Sequence, residues 1–267
     1  MTAVASVLSP AFDAALLARV EEAGLNAAAP PQQRLLGGWV LRLSPGKAKR
    51  ARCVNALAVG ALPLDELLAR AKAAFEQAGL PFIVRITPFT QPPTLDATLA
   101  ARGLRRFDDS RVMVLAALDR LPPAPPLPAG ASLDQPDHDR FADAIGRLRG
   151  SPAPQRGAHA ERLRASPVPY RGLLLQRGDE LLACGQAALE GGLVGLYDVY
   201  TAPAHRGQGL AGALCLHLLH AARAQGARSA YLQVDAANQP ALRLYGRLGF
   251  IDGYGYHYRC SNPDDAQ

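Results

Sequence analysis

Between Leu193 and Ala213 the sequence sets a run of strand-forming residues, a basic glycine turn and the start of a long apolar-periodic segment in immediate succession. Leu193, Val194, Leu196, Tyr197, Val199 and Tyr200 suit a buried strand, and Pro203 stops its pairing because proline has no N–H to give to a ladder. The turn reads Arg206, Gly207, Gln208, Gly209, Leu210, Ala211. With no Cβ at 207 and 209 and only a methyl at 211, its backbone amides are open to an anion, and they stand at the positive end of the helix that follows. The Arg206 guanidinium adds a charge-assisted contact. Such a turn cradles a phosphate; an ordinary strand-to-helix turn with a solvated arginine is the competing reading.

Three further side chains bear on chemistry. The Tyr245 phenol, with an unperturbed pKa of about 10, is protonated at neutral pH and able to donate, and the same residue would serve equally as a core tyrosine. Asn238 stands where a helix cap is expected. Asp198 is the one acid in the strand, and alternation places it on the face of Leu196 and Tyr200, opposite Tyr197 and Val199. It reads as a base, an amine-binding anion or a structural carboxylate. No serine lies in a G-x-S-x-G elbow, and His159 and His205 have no ligand-spaced neighbours, so no metal is expected.

Arg206-x-x-Gly209-x-Ala211, preceded by a strand and Pro203, resembles the pyrophosphate loop of the GNAT superfamily of acyl-CoA-dependent N-acyltransferases. The stretch from Tyr231 to Phe250 resembles that superfamily's next strand and helix, with Asn238, Ala241, Tyr245 and the closing Gly249-Phe250 in place. The resemblance implies acetyl-CoA as cofactor, its diphosphate on the amides of Gly207, Gln208, Gly209, Leu210 and Ala211 beside Arg206. It also implies a strand that splays from its neighbour, so that free backbone groups of Val199, Tyr200 and Thr201 pair with the pantetheine arm. Asn238 would bond that arm or cap its helix, and Tyr245 would be the general acid that meets the leaving sulfur. Many relatives carry a glutamate early in this strand; here glycine, leucine and valine stand there, which leaves Asp198 or a water relay as base. The implied reaction is acetyl transfer from acetyl-CoA to an amine of a small molecule or peptide, by direct attack in a ternary complex. The alternative is an acyl-CoA-binding regulatory module without turnover.

The elements that must position these residues fill a chain of 267 residues, long enough for two domains of about 130 each. Residues 121–130, LPPAPPLPAG, are too proline-dense for helix or central strand and read as a linker between a domain over 1–120 and another over 131–267. Sliding the first half onto the second brings Gly79 onto Gly226 and Gly103 onto Gly249. Where the second half has Arg206 to Ala211 the first has Val59-Gly60-Ala61-Leu62-Pro63-Leu64, and Leu99 stands for Tyr245, so the first half is not expected to hold a pyrophosphate. The pattern resembles tandem GNAT proteins with a degenerate N-terminal module. The expected fold class is α/β: two modules, each with a mixed, mostly antiparallel sheet flanked by helices. Ser9-Pro10 reads as the opening of a first helix ending at Gly24, and residues 151–169 as a proline-broken stretch with room for a short helix.

A hydrophobic fraction of 49% with 19% charged residues is globular, and no apolar run approaches the roughly 18 residues of a membrane span. The first twenty residues carry Asp13 and no basic cluster, which argues against a secretory signal and for the cytoplasm. Four scattered cysteines without a C-x-x-C pair read as reduced, buried thiols. The net charge of +6 suits a polyanionic cofactor through steering. Its one dense run, Lys47 to Arg52, reads as a solvated turn between strands, so no nucleic-acid partner is expected. A monomer is favoured slightly over a homodimer, because a tandem chain satisfies internally the contacts that single modules make in pairs.

Overall fold

The computed structural model describes residues 7–266; the first six, part of the stretch read against a secretory signal, and Gln267 lie outside the described residues. The chain opens with α1 (Ala14–Ala27), then β1 (Gln33–Leu36), β2 (Trp39–Arg42), β3 (Val54–Ala56), α2 (Leu64–Gln77), β4 (Val84–Ile86), α3 (Leu95–Ala101) and β5 (Arg105–Leu115). Beyond the prolines come β6 (Ala131–Asp134), α4 (His138–Leu148), α5 (Ala153–Ala165), β7 (Tyr170–Arg177), β8 (Glu180–Glu190), β9 (Leu193–Thr201), α6 (Leu210–Ala224), β10 (Ser229–Asp235), α7 (Gln239–Arg247) and β11 (Ile251–Cys260). The order β-β-β-α-β-α-β thus occurs twice, over β1–β5 and over β7–β11.

Pairing repeats as well. The first three strands of each set run antiparallel and the third pairs in parallel with the fourth. The last strands are exchanged. β11 lies against β4, with His257 opposite Ile86, while β5 lies against β10, with Arg111 opposite Val234. β5 and β11 then pair with each other, which makes one mixed sheet in the order β1-β2-β3-β4-β11-β5-β10-β9-β8-β7-β6. Each half is closed by the other's final strand, so the exchange covers two edges that would otherwise stand open.

Helices α1, α4 and α5 cover one face, where Leu17, Val20, Phe141, Ile145 and Leu163 pack with Tyr197 and Tyr231. Helices α6 and α7 cover the other, where Leu214, Leu218 and Tyr245 meet Val194, Leu196 and Leu232. A third cluster joins Trp39 and Leu41 to Phe75 and Leu99 under α2 and α3. Glu21 ties α1 to both β4 and the exchanged strand: buried, it pairs with Arg85 of β4 and accepts from the hydroxyl of Tyr254 in β11 at 2.6 Å.

Several expectations need correction. α1 starts at Ala14, because the Asp13 carboxylate accepts from the Ala15 N–H at 3.0 Å, and it runs through Gly24 to Ala27. The helix allowed for in the proline-broken stretch is longer than a short one: α5 has 13 residues, with Pro152 tolerated at its start. The Lys47–Arg52 run is solvated only at its start, where Lys47 and Ala48 are exposed. Ala51 and Arg52 are buried, and Arg50 stacks over the Tyr197 ring at 5.5 Å and donates to Gln233 Oε1 at 2.6 Å, its stem covered by the far half of the sheet. Nor is the proline stretch a free spacer. His217 and His220 of α6 donate to the carbonyls of Pro125 and Pro122 at 3.2 and 2.8 Å, and Leu121 and Leu127 pack on the α6 core.

Candidate active site

β9 pairs with β10 from Leu193 opposite Ser229 to Leu196 opposite Leu232, and no further. Beyond that point β10 turns its other edge to β5 through Asp235, while β9 stays with β8 as far as Thr201. The backbone of Tyr197 to Thr201 therefore faces an opening on its β10 side, as expected from the resemblance for Val199, Tyr200 and Thr201.

Inside the opened stretch β9 carries a bulge. Gln186 faces Tyr197 and Cys184 faces Tyr200, so the single residue between them on β8 opposes two on β9. Asp198 takes a left-handed backbone, φ +52°, which aspartate tolerates better than most residues. The bulge breaks the alternation read from the sequence. Asp198 turns to the α4 and α5 face together with Tyr197 and Tyr200, while Leu196 and Val199 face α6.

There the Asp198 carboxylate is surrounded. Oδ1 accepts from Arg149 at 2.8 Å, Oδ2 accepts from the Gln186 amide at 2.7 Å, and His159 Nε2 lies 3.2 Å from Oδ2, off the line of a well-formed hydrogen bond. Burial would raise the carboxyl pKa, but contact with His159 and the charge of Arg149 outweigh it and hold Asp198 well below the usual carboxylate range. So strong an acid is a poor acceptor of an amine proton. His159, set edge-on to Phe141, is the better placed base. A lone histidine in a proline-punctuated stretch carries no spacing signal, and neither did Arg149, so both were missed.

These side chains line a pocket of about 460 Å³ roofed by the Ser44 to Ala51 turn of the first half and walled by α4, α5 and the bulge. At its edge Tyr200 lies under both Arg149 and Arg206, 5.5 and 5.6 Å from ring to guanidinium, and Arg206 donates to the Tyr200 hydroxyl at 3.2 Å.

Arg206 leads into the glycine turn. Gly207 and Gly209 have φ of +78° and +77°, and Gly209 is the N-cap of α6 with no side chain capping the first turn. Residues 206–209 are exposed, and the amides of Gly207, Gln208, Gly209, Leu210 and Ala211 have no hydrogen-bond partner among the described residues. A Cβ built on either glycine would meet nothing within 4 Å, so the space over the turn is open. The turn has the donors and the room for an anion.

Tyr245 stands on the opposite face of the sheet from Asp198. Its ring is buried against Phe250, its hydroxyl makes no hydrogen bond among the described residues, and burial followed by the neighbouring Cys215 raises its pKa. It is not among the residues lining the Asp198 pocket. Asn238 caps α7, its Oδ1 accepting from the Ala241 N–H at 3.2 Å. All four cysteines are buried, and burial pushes the Cys215 thiol up to about 12.

Comparison with known proteins agrees with this geometry. Residues 139–250 match the acetyltransferase (GNAT) family. An uncharacterized N-acetyltransferase of Bacillus subtilis, YobR, is 26% identical over 239 residues, 85% of this chain and 91% of that protein. A mycothiol acetyltransferase of Actinosynnema mirum is 34% identical over 164 residues, 57% of this chain and 55% of that protein. Among solved structures, a tandem GNAT protein from the clavulanic acid biosynthesis pathway superposes with a TM-score of 0.56 at 20% identity, covering 74% of this chain and 70% of its own. That last likeness shows the fold: α/β, a mixed sheet flanked by helices.

Proposed function

We propose that the chain, whose residues 139–250 match the acetyltransferase (GNAT) family, transfers an acetyl group from acetyl-CoA to an amine held in the Asp198 pocket, by direct attack in a ternary complex. The observation that carries the reading is the opening of β9 from β10 after Leu196, with the uncapped amides of α6 at its outer end. The diphosphate of coenzyme A fits the open, exposed turn at 206–211, and the unpaired backbone of Val199 to Thr201 suits the pantetheine arm. When bound, acetyl-CoA supplies a thioester carbonyl as acyl donor.

The remaining tasks fall to this chain's side chains. The acceptor nitrogen bonds to the acyl carbon as the carbon–sulfur bond breaks. His159 takes the proton the nitrogen loses, and the ionised Asp198 stabilises the imidazolium. Tyr245, kept protonated by its burial, donates to the departing thiolate. A direct route is supported by the buried thiols of Cys184 and Cys215, each pushed up to about 12, which rules against a ready thiolate nucleophile. Free thiol release with acetyl-CoA and a panel of amines tests the reading. Arg206→Glu should abolish saturation by acetyl-CoA, and His159→Gln should lower kcat by about 10² while leaving acetyl-CoA affinity intact. Unchanged activity in the Arg206 variant would remove the loop assignment.

The first half is, in this reading, a degenerate GNAT-like module that supports the second. Its element order repeats, but its turn is filled by protein: a Cβ on Gly60 would lie 2.2 Å from the Gly37 carbonyl oxygen, and Pro63 brings no amide to the start of α2. We also propose a cytoplasmic monomer, in keeping with buried thiols and with the two halves joined through their exchanged strands in one sheet. A second reading, acyl-CoA binding without turnover, is favoured by the prior engagement of Asp198 with Arg149 and Gln186. It requires acetyl-CoA to bind while no amine releases thiol.

A further inference from the structure

We propose that the acceptor is an amine that also carries an anionic group, a carboxylate or a phosphate, and that Lys47 of the first half helps to select it. The inference rests on the acyl-transfer reading and names the substrate class of the same pocket.

Four permanent cations line that pocket, Lys47, Arg149, Arg156 and Arg162, against one carboxylate, Asp198. The carboxylate is already satisfied by Arg149, Gln186 and His159, so it offers little to an incoming ammonium ion. The cations are not equally committed. Arg156 is held by Asp143 and the Ser151 carbonyl at 2.9 and 2.7 Å. Arg149 spends one nitrogen on Asp198 and lies over the Tyr200 ring, and Arg162 holds the Ala27 carbonyl at 3.4 Å and lies over the Tyr170 ring at 5.9 Å, which leaves each guanidinium with N–H groups to give. Lys47 is exposed at the rim and has no ion pair or hydrogen bond among the described residues. The site therefore presents unspent positive charge at its entrance and along one wall, partly shielded from water.

A simple ammonium compound would enter against this field. An amine bearing an anion gains an ion pair at the rim that offsets the cost, and the same field favours the neutral, nucleophilic form of its nitrogen by disfavouring the ammonium. That effect eases the load on the base at a site where the strand supplies no glutamate. Because the roof comes from the Ser44 to Ala51 turn, the first half would then shape specificity as well as support the second.

Matched amines test this: glycine against glycinamide for the carboxylate, and O-phosphoethanolamine against ethanolamine for the phosphate, each read as kcat/KM from thiol release with acetyl-CoA. The anionic member of at least one pair should exceed its neutral counterpart by about tenfold or more, and the leading pair identifies the anion. Lys47→Glu and Lys47→Ala, both at an exposed position, should reduce that ratio, the charge reversal more. Neutral members used as well as or better than anionic ones would overturn the inference and leave acyl transfer standing. Thiol release with no member of either pair, while acetyl-CoA still binds, would overturn acyl transfer to amines and this inference with it.

Discussion

Leu196 and Leu232 are the last residues at which β9 and β10 face each other as a ladder pair, and everything assigned to the site lies just beyond them. Past Leu196 the two strands part; the α4 and α5 face receives Asp198 and Tyr200, and the α6 and α7 face holds Tyr245. A thioester lying in that gap would meet the acceptor from one side and the proton donor from the other.

Gly209→Ala separates binding from stability. At φ +77° alanine is strained, but its methyl meets open space, so the folding cost should stay near 1 kcal/mol. The same methyl intrudes where an anion would rest. Calorimetric affinity for coenzyme A should fall by about tenfold or more, against a small shift in Tm.

Tyr245→Phe removes only a hydroxyl that has no partner among the described residues. Thermal stability should therefore hold within about 0.5 kcal/mol. If the phenol is the proton donor, kcat falls by about 10² with acetyl-CoA binding unchanged. A variant with full kcat would make Tyr245 a core tyrosine and nothing more.

Asp198 links stability to pH in a definite direction. Its folded pKa is depressed, so its contribution is present above the unfolded value of about 3.9 and is lost as pH falls through the folded value. Asp198→Asn should be less stable than the parent at pH 7, and denaturant titrations should show the difference shrinking below about pH 4. A gap that widened in acid would contradict the assigned sign.

Glu21→Gln tests the tie from the N-terminal helix to β4 and the exchanged strand β11. The substitution leaves Arg85 charged and buried without its counterion, and weakens the acceptor for Tyr254. Unfolding free energy should fall by about 3–5 kcal/mol. A loss below 1 kcal/mol would show that neither group depends on the pair.

Much of this was legible because local chemistry fixes it. The turn at 206–211 declares itself by two glycines before a long apolar helix, and both stay in left-handed backbone as the turn requires. Helices α2, α4 and α6 follow from apolar periodicity. What depended on partners distant in sequence was hidden. Arg50 looks solvated until Tyr197 and Gln233 are brought over it, and α5 looks broken until its apolar side finds the sheet. The exchange of β5 and β11 leaves no mark in periodicity, since either strand suits either neighbour. The bulge at Asp198 defeated alternation because one added residue reverses the faces that follow. His159 acquires a role only once α5 is folded against β9.

Amide-resolved NMR during titration with coenzyme A tests the central claim most directly. The account predicts the largest shifts at Gly207, Gln208, Gly209, Leu210 and Ala211, with a second group at Val199 to Thr201, where β9 parts from β10. Saturable binding that leaves those amides unmoved, or shifts centred on the first half's turn at Val59 to Leu64, would contradict it.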